Sequence, residues 1–77
     1  MILFGAMEDP MSVARVTEII SASKTSFEDA IQKGIARAVK TLHNVEGAWV
    51  KEQKIVVEGG KISEYRVDLK VTFVLTD

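Results

Sequence analysis

Residues 48–75 read AWVKEQKIVVEGGKISEYRVDLKVTFVL, and their pattern dictates the fold. From Tyr65 onward, Val67, Leu69, Val71, Phe73 and Leu75 alternate with Arg66, Asp68, Lys70 and Thr72. A period of two sends one set of side chains to each face of a strand, so one face is apolar and the other polar. Such a strand packs on a core from one side only. Gly59 and Gly60, between Glu58 and Lys61, supply the positive φ angles of a tight hairpin turn, joining strand-like runs at Ala48–Val57 and Ile62–Leu75. An uninterrupted hairpin closed by Glu58 and Lys61 sets Gln53 opposite Arg66, Lys51 opposite Asp68 and Trp49 opposite Lys70, with Ile55 and Val57 on the same outer face.

Upstream of the hairpin, Val13 to Ser21 is a β-branched-rich run of strand length. Thr25-Ser26-Phe27-Glu28 matches a capping box that opens a helix. Phe27, Ala30, Ile31, Gly34, Ile35, Ala38, Val39 and Leu42 then recur at spacings of three and four, while Glu28, Asp29, Gln32, Lys33, Arg37 and Lys40 take the other side. Acidic residues in its first turn, Lys40 and His43 in its last, and Asn44 as a left-handed cap end the helix near His43. The order strand, helix, strand, strand implies an α+β fold, a three-stranded antiparallel sheet with one helix on its apolar face. The hairpin strands would span about 33 and 46 Å, and one helix leaves their outer face uncovered. That face is expected in a subunit interface.

The chain has 77 residues, 10 Lys and Arg against 11 Asp and Glu, one His and no Cys. So short a chain buries only roughly 60% of its unfolded surface, and without disulfides it favours oligomerisation. Its near-neutral charge argues against a nucleic-acid partner. No apolar run approaches a membrane span, and Met1 to Ala6 lacks the basic flank of a signal peptide, so a cytoplasmic protein is expected. Residues 1–11 read as an N-terminal extension and 12–77 as the domain, with Ile2, Leu3 and Phe4 suited to packing on a neighbouring subunit.

The passage from Ser21 to Thr25 into the helix, Ile35-Ala36-Arg37-Ala38, Lys40-Thr41-Leu42, Asn44, Gly59-Gly60-Lys61 and Glu64 through Phe73 together resemble the dodecin family, from about Val13 to Leu75. The resemblance implies a β-α-β-β fold wrapped around its helix, with twelve copies forming a hollow cytoplasmic shell that stores riboflavin or FMN. In flavin-binding dodecins a Trp near the start of the second strand stacks on the isoalloxazine, and a Gln just after the third-strand Tyr hydrogen-bonds its pyrimidine edge. This chain places Gly47 at the Trp position and Arg66 at the Gln position. Trp49, two residues on, shares a face with Gly47 about 6.6 Å along the strand, and becomes the candidate stacking residue. Arg66 can donate to flavin carbonyls or pair with phosphate but lacks an amide's acceptor. Gly47, Trp49, Gln53 and Arg66 are therefore the expected flavin site, with weaker binding or a changed ligand.

The resemblance extends to calcium dodecins, and Glu18, Glu64 and Asp68 offer oxygens to a hard cation, although without calcium-loop spacing. His43 at a helix C-terminus reads as a dipole partner rather than a base. No nucleophile, phosphate loop or carboxylate pair suggests catalysis. The expectation is a binding protein rather than an enzyme.

Overall fold

The computed structural model describes residues 13–75; the reading of residues 1–11 as an extension lies outside them. The order is β1 (Val13–Ser23), α1 (Phe27–Thr41), β2 (Val45–Glu58) and β3 (Lys61–Leu75). Both β1 and β2 pair antiparallel with β3, which is the central strand of a three-stranded sheet.

β1 runs two residues beyond Ser21, because Ser21 and Ser23 continue the pairing with Val67 and Tyr65. The helix cap sits one residue later than Thr25. Ser26 is the N-cap, and its hydroxyl accepts from the Asp29 backbone N–H at 3.0 Å. With Ser26 as cap the acid at the capping-box position is Asp29, not Glu28, and it reaches away from the cap, so the box is not closed. Its carboxylate accepts from the Ser23 hydroxyl at 2.6 Å, and that hydroxyl in turn accepts from the Thr25 backbone N–H at 2.9 Å. This relay welds the end of β1 to the first turn of α1. The Ser23 hydroxyl and the Lys33 ammonium hold the Asp29 carboxyl below its usual range.

α1 stops at Thr41 and is capped by Leu42, whose N–H donates to Ala38 O at 2.9 Å. Asn44 then takes the left-handed conformation, φ 62°. The left-handed residue is thus where the sequence puts it, but three positions past the helical end; Leu42 caps the helix and Asn44 turns the chain into β2.

The helix lies over β1 and β3 and touches β2 little. Its seam of small residues, Ala30, Gly34 and Ala38, is buried against the sheet. A Cβ built on Gly34 would stand 2.9 Å from Leu69 Cδ1 and 3.1 Å from Ser21 Cβ, so the absent side chain sets the closeness of helix and sheet. Val67, Leu69 and Val71 from the apolar face of β3 complete the core, with Ile19, Phe27, Ile31, Ile35, Leu42 and Val45 packed around it. Phe27 and Tyr65 meet edge to face at 5.2 Å.

The turn is as expected, with Gly59 at φ 59° and Gly60 at φ 77° closing Glu58 on Lys61. Beyond it the register departs from an uninterrupted hairpin. Trp49 pairs with Lys70, but Lys54, not Gln53, pairs with Arg66, and Glu52, not Lys51, pairs with Asp68. Bulges at Val56/Val57 and at Val50/Glu52 cause the exchange. The first leaves Ser63 unpaired on β3 and the second leaves Lys51 unpaired on β2, so their shifts cancel.

The reason is the apolar character of the helix side. An unbroken register would turn Lys54 and Glu52 to the helix side, beside Tyr65 and buried Val67. The bulges bring Ile55 opposite Tyr65 and Gln53 opposite Val67 instead, and send both charges outward. Ile55 is therefore on the helix side rather than the outer face, where Val56 stands opposite Glu64.

Candidate functional site

The sheet face turned away from α1 is built by alternation. β1 supplies Val16, Glu18 and Ile20; β3 supplies Glu64, Arg66, Asp68, Lys70 and Thr72; β2 supplies Gly47, Trp49, Glu52 and Lys54. Cross-strand rows follow from the register. Val16, Thr72 and Gly47 form one, Glu18, Lys70 and Trp49 the next, Ile20, Asp68 and Glu52 the third, and Ala22, Arg66 and Lys54 the fourth.

Trp49 is 62% exposed. On one side of its indole is a hollow of about 340 Å³ lined by Glu46, Gly47, Ala48, Trp49 and Thr72. A Cβ on Gly47 would meet nothing within 4 Å. On the other side Val16, Trp49, Lys51 and Lys70 line a hollow of about 430 Å³.

Of the expected site residues, Gly47 and Trp49 share one hollow, as alternation requires. Arg66 does not join them within a protomer: it lies four residues along β3 from Lys70, about 13 Å. It lines a separate hollow of about 170 Å³ with Ile20, Glu52, Lys54, Val67 and Asp68. Its Nε donates to Glu64 Oε1 at 2.8 Å, so one edge of the guanidinium is occupied. Gln53 is on the other face, opposite Val67.

Electrostatics organise the middle rows. Freed from pairing by its bulge, Lys51 reaches across β3 and places its ammonium 3.3 Å from Glu18 Oε2, tying together the two edge strands. Asp68 is between them, with Oδ1 buried and without a hydrogen-bond partner. The Asp68 carboxyl is pushed up, first by sharing a hydrogen bond with Glu18 and then by burial. Glu18 is lowered, first by the same hydrogen bond and then by Lys51, while Lys51 is raised by Glu18. Of the two carboxyls, Asp68 is thus the one that takes up a proton first as pH falls.

The bridge from Lys51 to Glu18 and the outward placement of Glu52 and Lys54 escape a reading of simple alternation. The helix side of β2 takes Ala48 and Val50, then Ile55, a change from even to odd that the bulge between them produces.

Comparison with known proteins gives a consistent result. The dodecin family model matches residues 13–76. The calcium dodecin of Mycobacterium tuberculosis is 41% identical over 64 residues, covering 82% of this chain and 89% of the relative. The dodecin of Thermus thermophilus is 35% identical over 65 residues, covering 84% and 94%. Among solved structures, a dodecin from Streptomyces davaonensis superposes with a TM-score of 0.83 at 36% identity, covering 87% of this chain and 98% of that one. The M. tuberculosis calcium dodecin, described as calcium chelating with a calcium-binding site, superposes with a TM-score of 0.73 at 38% identity, covering 84% and 93%.

Proposed function

This chain belongs to the dodecin family, and on that footing we propose that it is a storage protein for riboflavin or FMN, a cytoplasmic homododecamer and not an enzyme. The observation that carries the reading is Trp49, a residue 62% exposed on an uncovered sheet face beside the open space at Gly47. Isoalloxazine is a flat ring of the right kind for that platform.

One aromatic stack contributes about 1–3 kcal/mol, whereas a micromolar complex needs about 8.2 kcal/mol. A single indole is therefore insufficient. A two-fold axis brings the same residue from two copies, and burial of the ring between them supplies the remainder. Gly47 widens the seat, so the ring stacks two residues further along β2 than in flavin-binding dodecins. Arg66, too distant from the indole of its own protomer, serves the site only from a neighbouring copy. Storage follows physically: a stacked ring is shielded from water, and the adjacent indole quenches its excited state.

The test is a fluorescence titration of riboflavin and FMN with chelator-treated protein. Quenching that saturates near one flavin per chain is expected, as is its loss in Trp49→Ala. Absence of quenching at tens of micromolar protein overturns the reading, and unchanged affinity in Trp49→Ala reduces Trp49 to interface packing.

A second reading is a cation-binding shell. It is favoured by the 41% identity to a calcium dodecin and by the buried, unpartnered Asp68 Oδ1 between Glu18 and Glu52. It is weighed down by Lys51, whose ammonium already neutralises Glu18. Among the described residues no group of three His, Cys, Asp or Glu is arranged to hold a metal ion.

A further inference from the structure

We propose that the chain ahead of β1 folds back on its own protomer as a fourth strand, pairing with the free edge of β1 and laying Ile2 and Phe4 into the hollow between β1 and α1. The inference is independent of what the outer sheet face binds.

The receiving surface is an edge with a groove beside it. The strand order is β1-β3-β2, so β1 is paired on one side, and its other edge has no partner strand among the described residues. An unpaired edge of 11 residues presents a row of backbone N–H and C=O groups that can template a further strand. Along this edge a hollow of about 360 Å³ is bounded by Ile19 and Ile20 of β1 and by Gly34, Ala38 and Leu42. Lys33 and Arg37 also line it, and the aliphatic stems of such side chains can lie along an apolar occupant.

The occupant is written in the 12 residues ahead of Val13. Asp9-Pro10-Met11-Ser12 has Asp at the first and Pro at the second position of a type I turn, and a four-residue loop built on such a turn joins antiparallel strands. Closing Glu8 on Val13 fixes the register, with Phe4 opposite Thr17, Leu3 opposite Glu18 and Ile2 opposite Ile19. Directly opposed residues share a face. Val16, Glu18 and Ile20 belong to the outer face, so Thr17 and Ile19 belong to the helix side, and Ile2 and Phe4 fall over the hollow. Met1 falls beside Ile20, which is 72% exposed. The segment is apolar in both phases of its alternation, Ile2, Phe4 and Ala6 in one and Met1, Leu3 and Met7 in the other. That suits an edge with an apolar hollow on one face and an exposed isoleucine on the other. A tether of a single turn gives the arm an effective concentration of the order of millimolar, which favours its own edge over a neighbour's.

The experiment measures amide hydrogen exchange of the full chain by mass spectrometry, for the wild type and for a variant carrying Ile2→Asp with Phe4→Asp. In the wild type, residues 2–7 and the edge amides of β1 should be protected, and in the variant both should exchange about tenfold faster or more. Exchange of residues 2–7 at free-peptide rates in the wild type overturns the inference, as does protection of the β1 edge that survives the two substitutions, which would mean that another copy covers it. A second measurement leaves both apolar anchors intact. The chain has no Cys, so Gly5→Cys with Val16→Cys introduces one pair, opposite each other in the proposed register, and oxidation should close it within the chain. Gly5→Cys with Val50→Cys, on the far strand β2, should not close. A disulfide between two chains, no disulfide from the first pair, or equal closure of both pairs overturns the assignment.

Discussion

At the scale of single residues, Asp68 shows how a side chain can be costly to the fold that holds it. Its carboxyl is crowded by Glu18 and shielded from water, with Oδ1 lacking a donor. A group whose pKa is raised by folding contributes stability below its unfolded value and loses it as pH rises through the folded one. Asp68 is therefore an unfavourable group at neutral pH and a neutral, hydrogen-bonded one in acid. Asp68→Asn keeps a donor toward Glu18 without the charge. The expected outcome is a higher Tm than wild type at pH 7, with the difference shrinking as pH falls through the carboxylate range, measured by thermal denaturation at several pH values. An equal or lower Tm at pH 7 would show that the Asp68 charge is offset by Lys51. Lys51 itself is available because a bulge released it from pairing, so the ion pair with Glu18 is a by-product of register.

At the scale of elements, the helix and sheet approach each other as closely as Gly34 permits. Gly34→Val would place methyl groups against Leu69 Cδ1, already 2.9 Å from an added Cβ, and Leu69 is fully buried. Overpacking of this kind costs about 1–3 kcal/mol, and the variant should unfold at lower urea concentration with an unchanged m-value. No loss would mean that α1 shifts outward to make room. The paired bulges of the hairpin illustrate a different economy. Each one breaks the ladder locally, and together they leave Glu58 on Lys61 at one end and Trp49 on Lys70 at the other while exchanging faces between them. The exchange keeps Glu52 and Lys54 in water and gives Tyr65 an aliphatic neighbour in Ile55.

At the scale of the molecule, the protomer is a slab of 52 × 28 × 14 Å with very little interior. Val67, Leu69 and Val71 are its largest fully buried side chains, each contributing about 1.5–3 kcal/mol. Ordering the backbone costs about 1–2 kcal/mol for every residue. Meanwhile Ile20 is 72% exposed, and Val16, Trp49, Val50 and Ile55 are also open to solvent. In the proposed assembly further copies cover those surfaces. Light scattering at micromolar concentration should give a multiple of the 8.5 kDa chain, twelvefold on the proposed shell, with a Tm that rises with protein concentration. A folded monomer would remove the assembly, and a fall in Tm on chelation would favour the cation reading.

What the sequence determined by itself is whatever depends on local periodicity and local backbone chemistry. Alternation from Tyr65 to Leu75, the three-and-four spacing of α1, Gly59-Gly60 and Asn44 each act within a few residues, and the structure realises all of them. The family was legible for the same reason, since element order and turn residues are local properties strung together. Tertiary packing decided the register between the turn and Trp49. There the placing of Ile55 rather than Lys54 opposite Tyr65 outweighed two broken ladder positions, and the faces of Gln53, Glu52 and Lys54 were settled by contacts between strands. It also decided that Lys51 meets Glu18 and that Arg66 stands apart from Trp49, because those distances are fixed only once β1 and β2 are both laid against β3.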